Sequence, residues 1–298
     1  MKLIEYCADF LMQITLIGND KTVAPHKNIS RTSQDYIFYL VTEGELFFCE
    51  DGIEYHLRAG DCFLFEPNKH HFGLKNSRYH LFYVHFRHQQ IQSIECSEEA
   101  WKMQAKERNR KWLMNADMAQ VPDRRIVIPK QFTLRDSVAF HALCELANRA
   151  VVRSQNRMES YDVLCAGLIN ELFVELSRQF VTECLSHSPC GTQSIYLLNR
   201  VICFLNANYA KKLNGKMLSE EFSYHFDYLN QLFRKNLGTS IFQMLEFIRI
   251  ENAKILLQTT PLSLDQIADQ VGYDNASYFS KVFKKRTGIP PSRYRNGG

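Results

Sequence analysis

Ser263-Leu264-Asp265-Gln266-Ile267-Ala268-Asp269-Gln270-Val271-Gly272-Tyr273-Asp274-Asn275-Ala276-Ser277-Tyr278-Phe279-Ser280-Lys281-Val282-Phe283-Lys284-Lys285-Arg286-Thr287-Gly288 is the stretch on which the fold turns. Ser263 and Gln266 have capping-box spacing, in which each side chain takes up the other residue's free backbone N–H at a helix start. Ile267, Ala268 and Val271 recur at helical spacing, and Gly272 suits the left-handed conformation that closes a helix. Tyr278, Phe279, Val282 and Phe283 give a second helix its apolar face, and Gly288 stops it. The pattern predicts two helices joined by a tight turn.

The same pattern occurs once before. Leu213-Asn214 precedes Leu262-Ser263 by 49 residues, as do Leu218-Ser219 and Ile267-Ala268, Phe222 and Val271, and Tyr224 and Tyr273. The offset then becomes 50: Tyr228-Leu229 with Tyr278-Phe279, Leu232 to Lys235 with Val282 to Lys285, Gly238 with Gly288. One residue is gained in the turn of the second copy. Two copies are too few for a solenoid, so a duplicated helical unit is expected. Asn214 is the cap of copy one. Gly215 and Ser223 stand where copy two has Leu264 and Gly272, which predicts a looser first copy.

Charge gives the duplication a direction. The whole chain of 298 residues carries +4. Residues 194–298 hold 14 Lys and Arg against 8 Asp and Glu, a net of +6, which leaves −2 for residues 1–193. No acid follows Asp274, whereas Lys281, Lys284, Lys285, Arg286, Arg293 and Arg295 do. A basic block on a near-neutral body points to a polyanion. In a helix-turn-helix the second helix enters the DNA major groove, with base edges read on its exposed face and phosphates held at its ends. The base-reading candidates are Ala276, Ser277, Ser280 and Lys281 in copy two and Asp227, Asn230 and Gln231 in copy one. The phosphate candidates are Lys284, Lys285 and Arg286, with Arg234 and Lys235 in copy one. Asn and Gln pair with adenine edges, Lys and Arg with guanine. Between the copies, Ser240-x-x-Gln243 opens a helix expected to reach Gln258. Nineteen residues at ~1.5 Å each span about 28 Å, comparable with the ~34 Å of one DNA turn. One chain could then read an asymmetric or direct-repeat site from one side of the duplex.

The N-terminal half reads as β. Ile53, Tyr55 and Leu57 alternate with Glu54, His56 and Arg58, and Asp51-Gly52 supplies a tight hairpin turn. Tyr36 to Phe48, broken at Glu43-Gly44, Cys62 to Phe65 and Tyr79 to Arg87 add strands, with turns at Ala59-Gly60-Asp61 and Pro67-Asn68-Lys69. A strand is also expected in the greasy stretch Phe10 to Ile17, which lacks the flanks of a signal peptide. Arg58 to Gly73 resembles the second motif of cupin barrels. Metal-dependent cupins also carry a His-x-His and a Glu in a first motif, and no His-x-His stands before Gly44, so no metal and no cofactor are expected. Residues 91–135 read as irregular and charged. Val138, Leu143, Leu146, Ala147 and Val151, then Val163, Leu164, Leu168, Leu172, Leu176 and Phe180, predict two helices that cap the barrel or form a dimer seam. The expected domains are a barrel over 1–90, the charged segment and helices over 91–187, a linker over 188–193 and the helical domain over 194–298.

Arg249-Ile250-x-x-Ala253-Lys254-x-Leu256-Leu257, then Ile267-Ala268-x-x-Val271-Gly272-Tyr273 and Ser277 to Lys285 followed by Gly288 and Pro291, resembles the signature of the AraC/XylS family of bacterial transcriptional regulators. The resemblance covers about the last hundred residues and implies seven helices with two helix-turn-helix units. The N-terminal half resembles the family's cupin-like sensing domain. By motif position Phe72, Leu81 and Tyr83 would face an effector there, with His71 beside them and Arg31 placed by nearness. The expected whole is an α+β two-domain chain, with a cupin-like antiparallel barrel and helical linker before an all-α domain. It would be a non-enzymatic activator that binds double-stranded DNA, senses a small molecule with carbohydrate as the candidate, meets RNA polymerase and pairs as a homodimer. The alternatives are a cupin enzyme with a DNA-targeting tail and a ligand-independent regulator.

Composition limits the rest. With 45% hydrophobic residues the chain is foldable, and the absence of a run of about 18 apolar residues argues against a membrane span. The nine cysteines are odd in number, scattered and without a C-x-x-C pair, which speaks against zinc and disulfides and for reduced thiols in the cytoplasm.

Overall fold

The computed structural model describes residues 1–22, 27, 30–114, 124–186 and 191–295. Two compact units emerge, one built from 1–102 and 123–183, the other from 103–122 and 184–298.

The first unit is organised around one long strand, β4 (Tyr36–Glu50). Earlier come β1 (Lys2–Cys7), β2 (Gln13–Lys21) and β3 (Arg31–Thr32). After β4 follow β5 (Ile53–Arg58), β6 (Asp61–Phe65), β7 (His70–Gly73), β8 (Tyr79–Arg87) and β9 (Ile91–Glu95). Helix α1 (Glu98–Met114), whose residues from 103 onward fall in the second unit, β10 (Arg125–Pro129), β11 (Gln131–Thr133), α2 (Ser137–Asn156) and α3 (Tyr161–Ser186) follow in the chain. The first half of β4 pairs with β6 and β8, and its second half with β5 and β7. The expected break at Glu43-Gly44 is a register shift between Val41 and Glu43, inside a strand that continues through it. Such a bulge bends a strand, so its two halves can serve differently oriented partners. Asp51 and Gly52 both have positive φ (53° and 84°) and close the β4–β5 hairpin as anticipated.

The sheet is covered on both faces. Ile37, Tyr39, Val41, Phe48, Phe63, Phe65 and Leu81 form an inner cluster. On the other side Phe38 and Phe86 meet Phe173 of α3 edge-on or tilted, at 5.1 and 5.4 Å. Burial on both faces explains why β6 (Asp-Cys-Phe-Leu-Phe) is apolar without alternation.

Four expectations change. The described strands do not close into a ring: the eight-stranded sheet branches at β4 and ends at β11, β3, β5 and, through β8, at β2, while β10-β1-β9 forms a separate sheet. β10 and β11 are separated only by Lys130 yet pair into different sheets, which diverts the chain from closure. Residues 91–135 contain β9, α1, β10 and β11; the strands are only 5, 5 and 3 residues long, too short for their alternation to stand out. Ile53 lies 58% exposed, outside the core, because the tip of its hairpin projects past the inner cluster. Val138, Val163 and Leu164 are also exposed, while Leu143, Leu146, Leu168, Leu172 and Phe180 are buried as expected.

Residues 191–295 of the second unit form seven helices: α4 (Gly191–Asn208), α5 (Gly215–Phe222), α6 (Phe226–Leu237), α7 (Ile241–Thr259), α8 (Leu264–Gln270), α9 (Ala276–Thr287) and α10 (Pro291–Arg295). The expected linker falls on residues 188–190, outside the described residues, and 191–193, which open α4. Every predicted cap is found. Asn214 accepts from the Met217 N–H, and Ser240 with Gln243 and Ser263 with Gln266 form reciprocal capping boxes. Helix α7 is shared by two cores. Its Ile241, Met244, Leu245 and Ile248 pack with α4, α5 and α6, while Ile250, Ala253 and Leu257 pack with α8 and α9. Arg249 sits at the changeover. Its Nε donates to the Tyr209 carbonyl and its Nη2 to the Lys211 carbonyl, both at 2.8 Å, and its guanidinium lies 5.4 Å from the Tyr273 ring centroid.

Candidate nucleic-acid interface and effector site

The duplicated hairpins present matching surfaces. In α6, Leu229, Leu232 and Phe233 are buried, as are Phe279, Val282 and Phe283 in α9. Asp227, Tyr228, Gln231, Arg234 and Lys235 face solvent on α6, and Ser277, Tyr278, Lys281, Lys284 and Lys285 do so on α9. These sets correspond position by position at the offset of 50. Arg234 and Lys235, like Lys284 and Lys285, fall in the last turn of their helix, where they also complement its dipole. Asn275 starts α9 by accepting from the Ser277 and Tyr278 N–H groups, whereas His225 starts α6 without a side-chain cap bond.

Some expected members of the surface leave it. Asn230 is half-buried, and its Oδ1 accepts from the Ile241 N–H at 3.1 Å, tying α6 to the start of α7. Ser280, at the equivalent position, is also half-buried. Ala276 packs against the α8–α9 core, since it sits one turn before Phe279 and Ser280 on the inward side. Arg286 stays exposed but is ion-paired with Glu246 of α7 at 2.7 Å. Conversely Tyr278, expected in the core, is 58% exposed and Tyr228 is 43% exposed. Their recurrence in both copies was the available signal, obscured because an aromatic residue beside Phe279 reads as one apolar run.

In the first unit Arg31, Tyr39, His71 and His85 converge on the inner side of the sheet. Arg31 Nε donates to His71 Nε2 at 3.1 Å, and Nη2 reaches Tyr39 Oη and His85 Nε2, both at 3.4 Å. Phe65 lies 4.5 Å from the His71 ring and Tyr83 lies 5.9 Å from that of His85. Of the expected effector residues, Arg31, His71 and Tyr83 therefore come together. Leu81 is on the same face but fully packed in the inner cluster. Phe72 points away from the cluster, next to His70, because successive residues of β7 alternate sides. Tyr39 and His85 were missed, although Leu81, Tyr83 and His85 share a period of two.

Burial, and then the positive charge of Arg31, push both His71 and His85 down to a pKa of about 4. The unfolded chain, with imidazoles near ~6.5, protonates first as pH falls. Stability of this unit is therefore complete above about pH 6.5 and declines towards pH 4. Melting curves of the full chain across that window should show the first unit's transition moving down. A His71→Gln/His85→Gln variant should lose most of this slope.

Comparison with known proteins finds a family model in each half of the chain. A model of an AraC-like ligand binding domain matches residues 23–123, and a model of a helix-turn-helix domain matches residues 218–297. The lactose operon transcription activator of Staphylococcus xylosus is 26% identical over 264 residues, 88% of this chain and 84% of the relative. The arabinose operon regulatory protein of Salmonella typhimurium is 27% identical over 268 residues, with 88% and 84% covered. The raffinose operon transcriptional regulatory protein of Pediococcus pentosaceus is 33% identical over 134 residues, 45% of this chain and 47% of the relative. Among the described residues no helix is long and apolar enough to cross a membrane. A sensing half followed by a duplicated basic reader, each matched by its own family model, makes this chain a member of the AraC family of DNA-binding transcriptional regulators.

Proposed function

We propose that the chain is a carbohydrate-responsive transcription activator that reads DNA with two helix-turn-helix units, α5–α6 and α8–α9. The observation that carries this reading is the match between the exposed faces of α6 and α9, residue for residue, on helices held by one connector. Ser277, Tyr278 and Lys281, with Asp227, Tyr228 and Gln231, would meet base edges in successive major grooves of an asymmetric or direct-repeat site. Arg234, Lys235, Lys284 and Lys285 would hold phosphates. The first unit serves as a cupin-like sensing domain, with the space around Arg31, His71 and Tyr83 as the effector site. The sugar-operon regulators among the relatives support a saccharide as its ligand. No enzymatic step, metal or cofactor belongs to the reading. It includes a cytoplasmic homodimer that contacts RNA polymerase, and domain limits of 1–90, 91–187 and 194–298 about a short linker. An effector can act only through different affinities for two conformations.

Gel-shift titrations on specific and scrambled duplexes test the DNA part. Lys281→Ala should cost about 1–3 kcal/mol on the specific site and little on the scrambled one. Lys285→Ala should weaken both alike and lower the salt slope by about 1. Equal losses on both duplexes for Lys281→Ala would remove its base-reading role.

A further inference from the structure

We infer that the effector carries an oxyanion, a carboxylate or phosphate on a small polyhydroxylated molecule, and that the Arg31 guanidinium holds it. This rests on reading the inner side of the first unit's sheet as the effector site.

Arg31 is a cation whose partners there are all neutral. A guanidinium only donates hydrogen bonds, so the ring nitrogens it reaches on His71 and His85 must be bare acceptors. Tyr39 supplies a hydroxyl. Both imidazoles are buried in the folded unit. They cannot balance the charge of Arg31; that charge helps to keep them neutral.

The nearby carboxylates are committed elsewhere. Asp35, which faces His85, accepts from Thr15 at 2.6 Å and pairs with Arg87 at 2.5 Å. Glu50 and Glu66 are held by Lys130 at 2.5 and 2.8 Å, and Lys2 adds a second contact to Glu66 at 2.6 Å. Among the described residues no carboxylate pairs with Arg31, and its Nη1 makes no hydrogen bond. A half-buried cation with no counter-charge is costly, and the guanidinium fork matches carboxylate and phosphate oxygens. Neutral sugar hydroxyls would accept from Nη1 too, but would leave the charge where it is.

An anion seated on Arg31 would offset its repulsion of His71 and His85. Binding would then be coupled to proton uptake by those rings, and would tighten as pH falls. The groups facing them are Arg31, His70, Tyr39, Tyr83 and the Asp35–Arg87 pair.

The test uses the full chain with labelled histidine side chains. The probes are glucose, glucuronate, glucose 6-phosphate and inorganic phosphate, each against chloride at equal ionic strength. Histidine resonances and calorimetry are followed near pH 6 and pH 8. At least one anionic probe should move the His71 and His85 resonances and bind more tightly at the lower pH. Arg31→Gln should weaken it by about tenfold or more, as expected for loss of a charge-assisted pair. Two results would overturn the assignment: glucose moving these resonances as far as its acids do, or no anion moving them in the wild-type chain. The wild-type resonances decide the matter even if Arg31→Gln fails to fold. If glucose alone moves them, the sensing role stands and only the anion is lost. If no probe moves them while DNA binding by the Lys281 and Lys285 variants follows expectation, the regulator reading survives the failure.

Discussion

Gly272→Ala should unfold or loosen the second hairpin and abolish specific DNA binding by the full chain. Gly272 has φ +85°, a region where a side chain is strained, and a methyl group there would lie 2.7 Å from the Ala210 carbonyl oxygen. It would also lie 2.9 Å from Arg249 Nη2 and from the Tyr209 carbonyl. The neighbours are backbone and a guanidinium fixed by two hydrogen bonds, so none can yield cheaply. Strain and overpacking together should cost about 3 kcal/mol. Gly288→Ala is the internal control, because its φ is +83° but a methyl would meet nothing within 4 Å. It should cost about 1 kcal/mol, from backbone strain alone. Ser223 already bears that strain at φ 58°, so Ser223→Gly should stabilise the first hairpin by a few tenths to about 1 kcal/mol. Thermal melts of the three variants would check the order. A Gly272→Ala protein no less stable than Gly288→Ala would mean that the contact with Tyr209 and Ala210 imposes no constraint.

The second large effect concerns salt. Replacing Arg234, Lys235, Lys284 and Lys285 together by Gln should lower the dependence of log affinity on log salt by between about 3 and 4. Binding to specific and unrelated duplexes should fall together, by roughly a thousandfold near physiological salt. All four side chains are exposed at helix ends, so the fold should lose only the small helix-dipole contribution of each charge. Adding Arg286→Gln should act on the fold instead, since it strips Glu246 of its partner and loosens α9 against α7. Titration at several salt concentrations separates the two behaviours; an unchanged slope in the quadruple variant would remove these ends from the DNA.

The helical half was largely legible in the residue order because its determinants are local. Ser263 with Gln266 and Ser240 with Gln243 act across three residues, and the apolar faces of α6 and α9 repeat within one or two turns. What stayed hidden depends on distant partners. Asn230 looked like a base reader until the start of α7 was found against it, and Tyr278 looked like core until Phe279 and Phe283 filled that space. The sheet was harder. Its hairpin at Asp51-Gly52 is local and readable, but the partners of β9, β10 and β11 lie far off in the chain. So do Arg31, Tyr39, His71 and His85, which come from four strands and have no common spacing.

Because α7 belongs to both cores, its length is a fixed ruler. One residue inserted into it would turn the second reader by about 100° and advance it by ~1.5 Å. DNA turns through a similar angle only over about three base pairs, which advance it some 10 Å, so no change of operator spacing could follow such an insertion. Turns are more forgiving. The one residue by which the copies differ lies between α8 and α9, where the chain bends and no core is divided. Drift in this regulator's target should therefore accumulate in the exposed faces and in that turn, while the connector between the readers keeps its count.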